Sequence, residues 1–87
     1  GHSLTEIQPG EQMVLLTYSG SNAGQPLISA LAEKFSVSAN IIYGNIDYLK
    51  GKPLGKLVVT LSGEKEAMDQ AIDYIRSLGV EMEVMKR

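Results

Sequence analysis

The chain has 87 residues, of which 44% are hydrophobic and 21% charged, with a formal net charge of −2 and no cysteine. This length and composition predict one small globular domain with a thin core and exclude a disordered chain. The basic residues are scattered along an acidic chain, so we expect no nucleic-acid partner. Without cysteine there are no disulfides or thiolate metal sites, which favours a reducing compartment such as the cytoplasm.

The start of the chain shows no signal-peptide pattern, so we expect no export signal there. No apolar run approaches the roughly 20 residues that cross a bilayer, so we expect no direct membrane insertion. Residues 1–10 have the composition of a tag-cleavage remnant followed by a linker, and the lone histidine, His2, lies in that remnant. Residues 11–87 are therefore expected to form a single domain, and His2 is not expected to be a ligand.

The first predicted strand runs from Gln12 to Ser19, where β-forming residues are apolar on both faces, as in a central strand. Turn-forming residues follow from Gly20 to Gln25. Pro26 then marks the start of a helix that ends near Ser36. Its apolar residues recur at helical spacing: Ile28, Leu31, Ala32 and Phe35.

The segment from Asn40 to Leu49 is the one predicted strand that mixes apolar residues with amides, an acid and a glycine. Its alternation breaks at Gly44. Three of its side chains are expected to pack beneath the helices: Ile42, Ile46 and Tyr48. A turn over residues 50–53 leads into a strand over residues 54–62, which predicts a β-hairpin with a possible bulge at Gly55.

A second helix is predicted to begin with Ser62 or Gly63 as its cap and to end at Gly79. Its apolar stripe repeats the spacing of the first helix: Met68, Ala71, Ile72 and Ile75. A last strand over residues 80–85 completes the order β-α-β-β-α-β. This order predicts an α+β, ferredoxin-like fold, with a four-stranded antiparallel sheet in strand order 4-1-3-2 and both helices on one face.

The sheet face without helices is predicted to be apolar, and a monomer rarely exposes such a large apolar patch. We expect this face to carry five apolar residues: Met13, Leu15, Ile41, Tyr43 and Val58. A homodimer through this face, or through the edge strand, is therefore predicted. The expected dimer contacts are Met13, Leu15, Tyr43 and Val58.

The residue pattern argues against an enzyme. It contains no plausible catalytic histidine, no glycine-rich phosphate loop and no buried pair of acids. Asp47 is interpreted as an edge-strand acid that discourages aggregation. Acylphosphatases of this fold need an arginine after the first strand, which is absent here, and RNA binding would need aromatic residues on the central strands.

Binding of a small molecule or of a protein partner remains. The predicted site is the corner where the first loop and helix meet the second strand, and it combines amides with aliphatic residues: Asn22, Gln25, Pro26, Asn40, Ile41 and Ile42. Such a corner suits a zwitterion with an apolar side chain. A simpler role for Asn40 is to satisfy local backbone groups where the strand begins.

Several runs occur in order and at matching spacing: Leu16 to Gly20, Gln25 to Ser29, Phe35 to Val37, Asn40 to Tyr48, Pro53 to Gly55 and Val80 to Val84. Together they resemble the NIL domain over nearly the whole chain from Glu11 on. The Asn-Ile-Ile and Asn-Ile core of the fourth run is the most specific part.

The resemblance implies the C-terminal regulatory domain of the ATP-binding subunit of a methionine ABC importer, held at the cytoplasmic face of the membrane by the parent complex. It implies homodimerisation and binding of L-methionine near the dimer interface, which inhibits uptake. The implied partners are an ATPase domain, which would carry ATP and Mg, and the membrane permease; the regulatory domain itself needs no cofactor. The implied ligand contacts are Asn40 and Ile41, followed by Ile42, Gln25, Pro26 and Leu27. Gln25 departs from the acid that many family members carry before the proline.

A module that only dimerises the parent subunit is the alternative function. It would use the same apolar face and would be indifferent to amino acids. The residue pattern leaves both functions open.

Overall fold

The computed structural model describes residues 7–19 and 24–86, which form four strands and two helices. The elements are β1 Glu11–Ser19, α1 Gly24–Phe35, β2 Ser38–Leu49, β3 Lys52–Ser62, α2 Lys65–Ser77 and β4 Glu81–Lys86. The strands pair antiparallel in the order β2-β3-β1-β4. This is the predicted order read from the other edge, so the ferredoxin-like fold is confirmed. The residues of the expected tag remnant, including His2, lie outside the described ranges.

The core lies between the sheet and the two helices. Alternate residues of the two central strands form its floor, including Leu16 of β1 and Val59 of β3, and both are fully buried. Leu31 of α1 and Ile75 of α2 are the corresponding fully buried residues of the helices. The helices also contact each other through the rings of Phe35 and Tyr74, whose centroids lie 5.3 Å apart. The predicted alternation in β1 is confirmed. The predicted helix stripes are confirmed except at Ala32, which is exposed, and at Ile72, which is half-buried outside the core cluster.

The start of α2 differs from the prediction. Its N-cap residue is Glu64, and no side chain caps the helix there. Ser62 cannot serve as the cap because it is still part of β3, where it lies opposite both Glu11 and Ser38. The predicted end is correct: Gly79 has a φ of +79° and its N–H donates to the carbonyl of Arg76, as expected for a glycine after a helix.

The break in β2 is a bulge at Ile42. Ile41 lies opposite Val59 and Tyr43 opposite Val58, which leaves Ile42 as an extra residue. Residues directly opposite each other in an antiparallel pair share a face, so Ile41 lies on the helix side with Val59. The predictions that Ile41 lies on the open face, the face without helices, and that the break lies at Gly44 were wrong.

The other edge strand also carries a bulge. Met13 lies opposite Lys86 and Val14 opposite Val84, so Met85 is an extra residue of β4. The local pairing of β4 to β1 is therefore interrupted near the end of the strand.

Gly55 does not form the predicted bulge, because it pairs in regular register with Tyr18 on one side and Ile46 on the other. Its role is steric. A Cβ at this position would overlap with the Tyr18 ring. The absence of a side chain lets the Tyr18 ring lie directly over the backbone of β3.

We expect Gly55→Ala to destabilise the domain by about 1–3 kcal/mol, the usual range for overpacking a core. The added methyl group must displace the buried ring of Tyr18. Urea denaturation of the variant and the wild type measures the difference. In a Tyr18→Leu background the same substitution should cost much less, and an equal loss in both backgrounds would contradict the steric explanation.

The β2–β3 hairpin extends beyond the rest of the sheet. Its turn is Lys50-Gly51, and both residues have positive φ, 53° and 79°, as a two-residue hairpin turn requires. The predicted four-residue turn is thus shorter in the structure, where Pro53 belongs to β3. Because β1 ends opposite Leu54, Pro53 has no neighbour on the β1 side and is tolerated there. Tyr48 is 72% exposed near this tip, so the prediction that it packs beneath the helices was wrong.

Candidate functional site

Asn40 lies near the start of the edge strand β2, and its side chain is exposed. Its partner on β3 is Thr60, which in turn lies opposite Met13 of β1. These three residues and Lys86 of β4 form one row across the open face of the sheet. The amide of Asn40 stands at the outer end of that row, where a ligand at the sheet edge can reach it.

Ile41 follows Asn40 but does not share its face, and Ile42 has no partner on β3. Ile41 lies on the helix side and is exposed, and Ile42 is the half-buried bulge residue. A ligand that touches both Asn40 and Ile41 must therefore lie along the outer edge of β2, because one side of the sheet alone does not present both residues.

The predicted contacts at the start of α1 lie at the other end of the sheet. Helix α1 begins near Ser19, the last residue of β1, and ends next to β2, whose first residue, Ser38, aligns with Glu11, the first residue of β1. Asn40 aligns with Met13, six residues before Ser19, which corresponds to about 20 Å along a strand.

The expected corner is therefore not assembled within one chain. Pro26 is exposed and Leu27 is buried in the core, both far from Asn40. Gln25 belongs to the first turn of α1, and nothing further is described for its side chain. Asn22 lies outside the described residues. The physical reason for the correction is that α1 runs back along β1, so β2 starts where α1 ends.

The exposed apolar surface is concentrated on β2. Among the described residues, seven large apolar side chains are exposed, and five of them belong to this strand: Ile41, Tyr43, Ile46, Tyr48 and Leu49. An edge strand also presents backbone N–H and C=O groups that no neighbouring strand pairs. The outer edge of β2 is thus well suited to contact another strand or a ligand.

The four residues expected to form a dimer face differ in how much surface they offer. Tyr43 is 57% exposed, whereas Met13 is only 2% exposed. Leu15 and Val58 are half-buried between them. Among these four residues, Tyr43 at the β2 edge is the most exposed.

A pocket of about 390 Å³ lies at the hairpin end of the sheet. It is lined by Ser19, Leu49, Lys52, Pro53 and Leu54. This is the end of the sheet where α1 begins, and its apolar lining was missed by the sequence reasoning. The signal that could have found it is Lys50-Gly51, a two-residue turn that makes both arms of the hairpin longer than β1.

A groove of about 540 Å³ lies between α2 and β4, at the opposite edge of the sheet from β2. Its floor is apolar and its rim carries both signs of charge, including Lys65, Asp69, Asp73 and Arg76. Within residues 7–19 and 24–86, no three His, Cys, Asp or Glu side chains are placed to hold a metal ion. In the same ranges, no helix is long and apolar enough to span a bilayer.

The sequence was compared with protein-family models and with known proteins. The model of the NIL domain matches residues 12–84. The chain belongs to the NIL domain family. The matched range includes all of β2, the residues that line the pocket at the hairpin end and the residues that line the groove between α2 and β4.

Relatives of this NIL domain are named as transport proteins. The chain is 41% identical over 83 residues to "Methionine import ATP-binding protein MetN 2" of Oenococcus oeni, which covers 95% of the chain and 23% of the relative. It is 47% identical over 74 residues to "Methionine import ATP-binding protein MetN" of Streptococcus pneumoniae, covering 85% and 21%. The chain thus spans less than a quarter of the length of these curated relatives.

Solved structures agree with the fold. The NIL domain superimposes with a TM-score of 0.71 and 36% identity on the C-terminal domain of an ABC transporter ATP-binding protein from Enterococcus faecalis, covering 88% of this chain and 86% of the other. It also resembles the divalent cation tolerance protein CutA1 of Thermus thermophilus, with a TM-score of 0.58. That second pair is 17% identical, so it indicates a shared fold alone.

Proposed function

We propose that this NIL domain is the substrate-sensing regulatory domain of a methionine importer's ATP-binding subunit, and that it binds L-methionine near a homodimer interface to inhibit uptake. The observation that carries the proposal is the similarity to methionine import ATP-binding proteins, at 41% and 47% identity over most of this chain. Because those proteins are several times longer, the domain acts as an accessory part of a chain that also holds the ATPase.

The geometry of β2 supports a dimer through its outer edge. A two-fold axis near Tyr43 and Gly44, at the middle of β2, would pair two copies of the strand antiparallel. Asn40 of one protomer would then approach the hairpin end of its partner, which is also the end where the partner's α1 begins. The two predicted groups of ligand contacts, separated within one chain, would meet across this interface.

The chemistry of such a site suits methionine. The amide of Asn40 can accept a hydrogen bond from the ammonium group and donate one to the carboxylate. The thioether would lie among Ile41, Ile42 and the apolar residues of the partner's hairpin. Burying a side chain of this size contributes about 1.5–3 kcal/mol, whereas micromolar affinity requires about 8 kcal/mol, so the polar contacts are needed too.

Regulation requires that methionine prefers one arrangement of the paired domains. A ligand with equal affinity for both arrangements would shift neither population. Two partners respond in the parent complex. They are the membrane permease and the ATPase domain, which carries ATP and Mg. The proposal implies that the domain acts at the cytoplasmic face of the membrane.

Calorimetry with L-methionine, D-methionine and leucine tests the proposal. We expect saturable binding of L-methionine and a clearly weaker response to leucine, which lacks the thioether. Equal and very weak heats for all three amino acids would overturn it. The exposed apolar edge of β2 would then support the second candidate, a module that only dimerises the parent subunit and is indifferent to amino acids.

A further inference from the structure

Met13 is unusually well covered for its position. Met13 belongs to the row of paired residues that starts at Asn40 and crosses the open face of the sheet. It is not part of the core cluster between the sheet and the helices. It is nevertheless only 2% exposed, whereas Leu15 and Val58, which lie nearer the middle of the same face, are half-buried. A residue near the end of an open sheet should be more exposed than the residues in its middle, so chain outside the sheet must cover Met13.

The segment just before β1 lies at this end of the sheet. Residues 8–11 form a reverse turn in which the N–H of Glu11 donates to the carbonyl of Gln8 at 3.0 Å, and Gly10 has a φ of +85°. Pro9 and Gly10 occupy the positions that such a turn favours. The turn reverses the direction of the chain, so Ile7 and Gln8 lie beside the first residues of β1.

A second hydrogen bond indicates which face. The backbone N–H of Gln8 donates to the carboxylate of Glu11 at 2.6 Å. Glu11 precedes Met13 by two residues in the same strand, so its side chain lies on the open face. Gln8 is therefore held on the open side, and the neighbouring Ile7 is half-buried.

We infer that residues 7–10 dock on the open face, with Ile7 over Met13, and that this contact links the proposed ligand site to the preceding part of the parent chain. The link is the row of side chains that runs from Asn40 through the buried Thr60 to Met13. A ligand at Asn40 biases the packing of this row, and the docked segment responds. The linking role rests on the proposed function, whereas the docking does not.

The test uses the whole chain labelled with ¹³C at the methionine methyl groups. The sequence contains four methionines, and Met13→Leu assigns the Met13 resonance. In the wild type, a soluble paramagnetic agent should broaden the signal of Met85, which is 48% exposed, and spare that of Met13. Gly10→Val makes the positive φ unfavourable and opens the turn, so the broadening of Met13 should rise to the level of Met85.

Gly51→Val is the matched control. Gly51 also has a positive φ, 79°, and like Gly10 it has no atom within 4 Å of an added Cβ, but it lies in the hairpin turn at the far end of the sheet. We expect it to leave Met13 protected. The core residue Met68 reports the integrity of the fold. If Gly10→Val also exposes Met68, the variant Ile7→Ser decides, because it removes the apolar contact and keeps the turn.

Continued protection of Met13 in a folded Gly10→Val protein, or in Ile7→Ser where that variant decides, would overturn the docking. Unlabelled L-methionine then tests the link and should shift the Met13 methyl resonance of the wild type. If calorimetry detects binding and this resonance does not move, the link is wrong while the proposed function stands. If calorimetry detects no binding, the proposed function fails and the docking result is unaffected.

Discussion

Asn40→Ala is expected to abolish the response to L-methionine while the fold and the dimer persist. Hydrogen bonds to charged groups contribute about 1.5–3 kcal/mol each, so losing one of them weakens binding by about 10- to 150-fold and losing two removes detectable binding. The side chain is exposed at the sheet edge, so its truncation leaves the core unchanged. Calorimetry measures the binding, and sedimentation verifies the dimer.

Gln70→Ala is the matched control for Asn40. Gln70 is also an exposed amide, but it lies on α2, outside the proposed interface. We expect this variant to retain methionine binding. Equal losses in both variants would contradict a specific ligand role for Asn40.

Tyr43→Lys is expected to convert the proposed dimer into a monomer. Tyr43 lies at the middle of β2, so a two-fold axis there brings both copies close together, and the variant would place two lysines side by side. Truncating a central interface tyrosine typically costs about 2 kcal/mol or more, which is about 30-fold in affinity, and charge repulsion adds to that loss. Sedimentation velocity over a range of protein concentrations measures the change.

Leu78→Lys provides the corresponding control. Leu78 is 53% exposed, close to the value for Tyr43, but it ends α2 and lies away from β2. The same charge is therefore added to a similarly exposed apolar position outside the proposed interface. A dimer that persists in Tyr43→Lys, or one that Leu78→Lys weakens to the same extent, would exclude the β2 edge as the interface.

The order of elements and the core-facing residues could be predicted from sequence because periodicity reports them directly. Leu16 and Tyr18 alternate with Leu15 and Thr17, as the structure confirms. Most residues of the two helical stripes lie in or against the core, whereas Ala32 is exposed. The NIL resemblance rested on short motifs, which the match over residues 12–84 confirms.

The bulge positions could not be predicted in the same way. Whether Ile42 or Gly44 is the extra residue depends on the partner strand, and the pairing of Tyr43 with Val58 decides it. Glycine alone was a misleading signal. Gly55 does not form a bulge, and its missing side chain makes room for the Tyr18 ring. Information about cross-strand contacts is absent from the pattern of one strand.

The separation of the candidate site, in contrast, followed from topology. A helix that connects two parallel strands of one sheet must run back along the first strand, so β2 begins at the same end of the sheet as β1. Asn40 and the first turn of α1 therefore lie at opposite ends of the sheet. The expected corner placed the first loop and helix beside the start of the second strand and left this step out.

The bulge in β4 limits how far the sheet can grow. Its extra residue, Met85, interrupts the pairing of that edge strand, and a bulged edge is a poor template for the addition of further strands. A pair joined through β2 would leave only the two β4 edges outside, and each is short and carries Glu81 and Glu83. Such an assembly ends at two copies, so the exposed apolar residues of β2 can be used for association without leading to open-ended β-aggregation.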